Sequence, residues 1–163
     1  MELATVEQAL ETLKAGKPVL VVDHRSRENE GDAIMAAEFA SPEWISWMVK
    51  HTSGFICAPM AESLANRLEL PLMTNNNQDR YRTQYTVSVD AAAGVTTGIS
   101  AADRATTLRI LASPDSQPEH LIRPGHVIPL RAHPDGVFGR QGHTEATVDL
   151  LKLAGLVPVG VIA

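Results

Sequence analysis

The sequence predicts an α/β fold in layers, and three observations lead there. Apolar residues at helical spacing alternate along the chain with short β-branched or wholly apolar runs, so the two periods are interleaved rather than segregated. Glycine or proline stands at almost every change of period, for example Gly16, Gly54, Pro59 and Gly155. With 163 residues, 44% of them hydrophobic, the chain can bury one substantial core, so residues 1–163 are expected to form a single domain.

The elements follow in order. Leu3, Val6, Leu10 and Leu13 recur at helical spacing and Gly16 stops them, which predicts a first amphipathic helix. Residues 18–22 are an apolar run and read as a buried strand, and residues 33–37 read as a second. Ser41 and Pro42 open the next helix as cap and first-turn proline, with Trp44, Ile45, Met48 and Val49 on its apolar face. Residues 55–58 read as a strand, and residues 61–70 return to helical spacing through Leu64 and Leu68. Residues 74–83 are almost wholly polar and asparagine-rich, which predicts a long loop, either a lid or a surface excursion. Residues 85–89 alternate and are β-branched, the pattern of a strand. Ser100 is placed to cap a helix that continues through residues 104–111, with Asp103 as its capping-box partner. Residues 127–130 are another apolar run. His133, Pro134, Asp135 and Gly136 have the composition of a tight turn, so a hairpin from Ile128 to Val137 is expected. A helix carrying Ala146, Leu150, Leu151 and Ala154 and a final strand over residues 157–162 close the chain.

Composition excludes several classes of protein. The formal charge of −5 argues against a nucleic-acid surface. Cys57 is the only cysteine, so neither a disulfide framework nor a cysteine-based zinc site is expected. No apolar run approaches the roughly 20 residues that span a bilayer. The first residues lack the basic-then-apolar pattern of a secretory signal, so a cytoplasmic protein is expected.

Three stretches carry chemistry. Arg27, Glu28, Asn29, Glu30, Gly31 and Asp32 crowd three carboxylates into a loop between two strands. Such a loop attracts a hard cation and lets the carboxylates raise one another's pKa. Residues 94–100 combine glycines with the hydroxyls of Thr96 and Thr97 ahead of a helix start, an arrangement suited to an oxyanion. Arg140, Gln141, Gly142, His143 and Thr144 also stand where a helix begins, and a guanidinium, free amides and a hydroxyl there suit a phosphate. His143 can add an imidazole ligand to the carboxylate loop; Mg2+ usually takes only one or two protein groups and leaves the rest to water and substrate.

Four blocks together resemble the 3,4-dihydroxy-2-butanone 4-phosphate synthase family. They are residues 27–32, residues 97–104, the group Arg123, Pro124, Gly125 and His126, and residues 142–146. The resemblance implies an α/β fold of three layers around a mixed, twisted sheet flanked by helices. It implies a lyase of riboflavin biosynthesis that converts D-ribulose 5-phosphate to L-3,4-dihydroxy-2-butanone 4-phosphate and formate. The implied course is enolisation, dehydration, skeletal rearrangement and loss of one carbon. The implied cofactor is Mg2+, with Mn2+ as an alternative, held by Glu28 and His143. Arg27, Glu28 and Asp32 would contact the sugar. Thr97 and Arg140, Gln141, Gly142, His143 and Thr144 would complete the substrate site, with the phosphate end on residues 140–144. Glu28, Glu30, Asp32, His126 and His143 are the implied catalytic set, with Glu30 and Asp32 both available as bases.

The resemblance also implies a homodimer with sites near the subunit interface, and a C-terminal GTP cyclohydrolase II domain in many relatives. In that family a Cys-Glu pair follows the final strand, and its glutamate contacts substrate. Here Ala163 stands at the cysteine position and the sequence stops. The expectation is a chain cut short before that glutamate, or a remnant. The competing reading is accordingly a catalytically impaired sugar-phosphate-binding or dimerisation module of a larger bifunctional protein. Formate release separates the two.

Overall fold

The structure is a computed structural model and describes residues 3–163. Among the described residues, five α-helices and seven strands follow one another: α1 (Val6–Lys14), β1 (Val19–Val22), β2 (Gly31–Ala36), α2 (Pro42–His51), β3 (Cys57–Met60), α3 (Glu62–Arg67), β4 (Gln84–Tyr85), β5 (Val89–Ala91), α4 (Ala101–Ala112), β6 (Leu121–Arg131), α5 (His143–Ala154) and β7 (Gly160–Ile162). The strands form one mixed sheet in the order β1-β2-β7-β3-β6-β4, with β5 also on β6. Among the described strands only β3 and β6 run parallel, and the other pairs are antiparallel.

Alternation along the strands makes this a three-layer molecule. In β2, Ala33 and Met35 face one side, where Ile45 and Met48 of α2 and Leu108 and Leu111 of α4 complete a fully buried cluster. Ala36 faces the other side and meets Leu13 of α1 and Leu151 of α5. Ile34, Cys57, Leu130 and Ile162 continue that second face beyond the start of α5. Cys57, Leu130 and Ile162 of this face floor a cavity, while Ile34 stays fully buried.

Helix starts follow the local chemistry. Thr5 caps α1 and closes a capping box with Gln8, so Leu3, expected inside this helix, lies upstream of the cap and is exposed. Ser41 caps α2 through the Trp44 amide with Pro42 in the first turn, as its sequence predicts. Gly155, left-handed at φ +71°, ends α5.

Several boundaries differ from the sequence reading, each for a tertiary reason. The strand expected over residues 55–58 shifts to Cys57–Met60, because that register pairs Cys57 with Ile128 and Pro59 with Leu130. The strand expected over residues 85–89 is two pieces. β4 pairs with the end of β6 and β5 with its beginning, and the register shifts between Val89 and Asp90. Gly125 of β6 packs directly on the Val89 backbone at that break, where a Cβ would clash, and donates its amide to the Ser88 hydroxyl.

The hairpin to Val137 does not form. The turn itself exists, with the Gly136 amide bonded to the His133 carbonyl. Val137 then enters a short 3-10 turn and donates its N–H to Asp149 of α5, which leaves no strand to pair. Of the last strand, only Gly160–Ile162 is regular.

Candidate active site

The cavity floored by Cys57, Leu130 and Ile162 measures about 210 Å³. Arg27, Glu28, Glu30 and Asp32 stand on one side of it, and Arg140, His143 and Thr144 on the other. The acidic loop and the start of α5, more than a hundred residues apart in sequence, thus share one space.

Asp23, which follows directly on β1, organises the loop. Its carboxylate accepts the amides of Glu28 (2.9 Å) and Glu30 (2.9 Å) and pairs with the Arg27 guanidinium at 3.0 Å. Burial alone would raise its pKa, but those amides and Arg27 prevail and hold it down at about 2. The Arg27 guanidinium also contacts the Glu28 carboxylate and lies over the Tyr81 ring, 4.9 Å from its centre. The Tyr81 hydroxyl donates to the Arg27 carbonyl at 2.7 Å. The loop over residues 74–83 is therefore docked onto the acidic loop rather than projecting from the surface.

On the other side, α5 begins at His143 with Gly142 as its N-cap and no side-chain cap. Its first amides are left for an anion. The Arg140 guanidinium crosses the space above Gly142, where a Cβ would collide with it. Arg140 donates to the Tyr81 carbonyl (2.9 Å), the Thr83 hydroxyl (2.8 Å) and the Glu145 carboxylate (2.6 Å). Glu145, 1% exposed, also accepts the His133 amide at 3.0 Å. Arg140 thus spends one N–H of each guanidinium nitrogen on protein groups, which ties the 74–83 loop to α5 and leaves two N–H for a ligand.

His143 is the decisive side chain. Its ring is 7% exposed, Nδ1 lies 3.5 Å from the Asp32 carboxylate, and Nε2 is buried with no hydrogen-bond partner among the described residues. A buried nitrogen left this way is costly unless something binds it. An imidazole oriented by a carboxylate through one nitrogen and free at the other is the usual arrangement of a metal-ligating histidine. Among the described residues no three His, Cys, Asp or Glu side chains converge as an all-protein cage. That suits Mg2+, which keeps several positions for water and substrate oxygens.

Burial is the main cause that raises the pKa of Asp32, and the carboxylates of Glu28 and Asp23 add to it, against the opposing effect of His143 and Arg27. Burial likewise pushes the Cys57 thiol up to about 12, with Asp32 contributing, so Cys57 is an apolar floor residue and not a nucleophile.

A profile of the 3,4-dihydroxy-2-butanone 4-phosphate synthase family matches residues 7–163. The chain belongs to that family. A synthase of this name from Pelobacter propionicus is 52% identical over 162 residues, which are 99% of this chain and 69% of the relative. The riboflavin biosynthesis protein RibBA of Salinispora arenicola is 60% identical over 158 residues, 97% of this chain but 38% of the relative. This chain therefore spans well under half the length of such relatives. A crystal structure of a 3,4-dihydroxy-2-butanone 4-phosphate synthase in complex with two magnesium ions superposes with a TM-score of 0.97 at 51% identity, over 99% of this chain and 75% of the other.

The synthase-family residues predicted from sequence divide into three groups in space. Arg27, Glu28, Glu30, Asp32, Arg140, His143 and Thr144 share the cavity. Gln141 and Gly142 line a neighbouring cavity of about 620 Å³, which His143 also borders. His126 and Thr97 line neither and belong to a separate cluster on β6 and the loop before α4. In that cluster Ser100 caps α4, but the expected capping box does not close. Asp103 instead accepts the Thr96 hydroxyl (2.8 Å) and the Gly98 amide (3.1 Å). Sequence reasoning assigned no role to Asp23, Tyr81 or Glu145. For Asp23 one signal existed, an Asp at a strand end ahead of a turn, where its side chain commonly bonds downstream amides.

Proposed function

We propose that this chain carries the metal-dependent conversion of D-ribulose 5-phosphate to L-3,4-dihydroxy-2-butanone 4-phosphate and formate. The observation that carries the reading is the buried His143, whose Nε2 has no hydrogen-bond partner among the described residues and which lines the same small polar cavity as the carboxylate loop. Glu28 and His143 hold Mg2+, with Mn2+ able to replace it; magnesium in the solved relative supports this. When bound, the cation draws charge from the substrate oxygens and makes the carbon beside the carbonyl more acidic.

This chain's own residues do the rest. The free first-turn amides of α5, Thr144 and Arg140 receive the phosphate end. Arg27 and Asp32 contact the sugar hydroxyls. Asp32, its pKa raised by burial, takes and returns protons during enolisation, and Glu30 at the cavity rim is the second carboxylate within reach. The water lost on dehydration is regained when the one-carbon unit leaves, so sugar phosphate equals four-carbon phosphate plus formate with no co-reactant.

His126 and Thr97 serve the site of a second copy in a homodimer. They lie outside their own chain's cavity; His126 is four residues from Leu130 on β6, about 13 Å along the strand. In the full-length protein a GTP cyclohydrolase II domain follows, in keeping with the 38% share of the RibBA relatives. Formate release from D-ribulose 5-phosphate tests the proposal. Glu28→Gln and His143→Ala each abolish it; near-normal turnover in both variants would overturn the metal assignment. Formate-free binding by the full-length wild type would favour the binding-module reading.

A further inference from the structure

The peptide that joins Arg27 to Glu28 is held from both ends. Its N–H, on Glu28, donates to the Asp23 carboxylate at 2.9 Å. Its carbonyl, on Arg27, accepts the hydroxyl of Tyr81 at 2.7 Å, from a residue 54 positions along the chain. Just beyond, Asn29 turns the loop through the left-handed region at φ +56°, between the two amides that Asp23 binds. Such backbone is uncommon outside glycine and persists where neighbouring contacts impose it. Tyr81 also holds the Arg27 side chain. The guanidinium lies 4.9 Å from the centre of the Tyr81 ring, and Nη1 is the nitrogen that meets the carboxylates of Asp23 and Glu28. Nε and Nη2 have no protein partner among the described residues. Arg27 borders both the cavity of about 210 Å³ and its neighbour of about 620 Å³, whereas Tyr81 lines the neighbour and not the smaller one. The ring thus stands behind the guanidinium, outside the candidate active site.

We infer that Tyr81 is a positioning residue that aims Arg27 and Glu28 into the cavity together, its hydroxyl fixing their shared peptide and its ring fixing the guanidinium. The inference rests on the proposed function for the roles of those two residues, Arg27 on the sugar and Glu28 on the metal. Glu28 is one of the two protein groups assigned to the cation, so a rotation of its peptide carries the carboxylate away from the ion. The ring prevents a second fault. A guanidinium free to turn can set two N–H groups on the Glu28 carboxylate and compete with the cation for it. Held against Tyr81, it offers Nη1 to that carboxylate and keeps Nε and Nη2 for substrate. Tyr81 reaches the phosphate side as well, since its backbone carbonyl accepts Arg140 Nε at 2.9 Å. The sugar side and the phosphate side therefore share one anchor. Nothing local in the polar 74–83 loop reveals this, because the partners lie 54 and 59 residues away.

Two substitutions separate the hydroxyl from the ring. Tyr81→Phe keeps the ring and the backbone carbonyl and removes only the hydroxyl, which loosens the Arg27–Glu28 peptide. In full-length protein without metal or substrate, hydrogen–deuterium exchange of residues 23–32, read by mass spectrometry, should quicken about two- to tenfold. The Mg2+ dissociation constant, from titration calorimetry, should rise by about the same factor. Tyr81→Ala removes the ring as well. At saturating Mg2+, the step from Phe to Ala should raise KM for D-ribulose 5-phosphate about tenfold and change kcat less than about threefold. In an Arg27→Ala background the same step should change KM less than about twofold, because the ring acts through the guanidinium. Wild-type exchange and Mg2+ affinity in Tyr81→Phe, or a step of equal size in both backgrounds, would overturn the assignment. A lower melting temperature with exchange, Mg2+ affinity and KM all unchanged would overturn it too, leaving Tyr81 a structural anchor of its own loop. If the protein releases no formate, the proposed function fails, while the exchange measurement, which needs neither metal nor turnover, still decides whether Tyr81 holds the acidic loop.

Discussion

Glu145→Ala should loosen the substrate side of the cavity from behind. The Glu145 carboxylate is almost fully enclosed, and it accepts the His133 amide and the Arg140 guanidinium, whose side chain is 18% exposed. Alanine removes both bonds and leaves an uncompensated cation among groups that cannot replace the carboxylate. Removing one partner of a buried ion pair costs about 3–5 kcal/mol. In a domain of this size each kcal/mol lowers the melting temperature by roughly 2–4 °C, so a fall of about 6–20 °C is expected. The same change frees Arg140, which also holds the Tyr81 carbonyl and the Thr83 hydroxyl, so KM for ribulose 5-phosphate should rise. Thermal unfolding by circular dichroism and steady-state formate release measure the two effects. A melting point within about 2 °C of wild type, with KM unchanged, would refute the reading of Glu145 as the residue that fixes Arg140.

Asp23 has a folded pKa of about 2 against an ordinary 3.8, so the stability it contributes is complete above about pH 4 and fades as pH falls towards 2. Asp23→Asn should flatten the unfolding-versus-pH curve in that window; an unchanged acid limb would count against it. Saturating Mg2+ at about 100 times its dissociation constant should stabilise the wild type by about 2.7 kcal/mol, and His143→Ala should abolish this shift in thermal unfolding. A full shift in the variant would remove His143 from the metal site. Leu151→Ala opens a void between α5 and the sheet at a fully buried position and should cost about 2–5 kcal/mol in urea unfolding. A loss under 1 kcal/mol would contradict the packing described for that layer.

The fold was legible where local chemistry decides. Ser41 with Pro42, Gly155, and the apolar runs of β1 and β2 announce their elements without tertiary help, although β1, expected to be buried, is an edge strand with Leu20 and Val22 exposed. It was illegible where a distant partner decides. Nothing local in residues 85–89 reveals that Gly125 shifts the register there, and a turn composition at residues 133–136 cannot show that Val137 bonds to α5 instead of a strand. The same division holds in the site. Glu28, Glu30 and Asp32 stand out because they are contiguous and charged, and His143 because it follows a glycine at a helix start. Glu145 and Asp90 look like ordinary helix and strand acids until the structure sets them against His133, Arg140 and His126, 12, 5 and 36 residues away. Arg140 carries the opposite lesson. Its resemblance to a phosphate ligand was plain, but its three protein partners, which make it a tie between loop and helix, were not.

The most direct measurement is the stoichiometry of the reaction in the full-length protein. D-ribulose 5-phosphate is incubated with Mg2+, and formate and sugar phosphates are followed together by NMR. One formate and one four-carbon phosphate per sugar phosphate consumed, with none after chelation of the metal, is the expected result. Products that keep all five carbons, or formate that persists without metal, would contradict it.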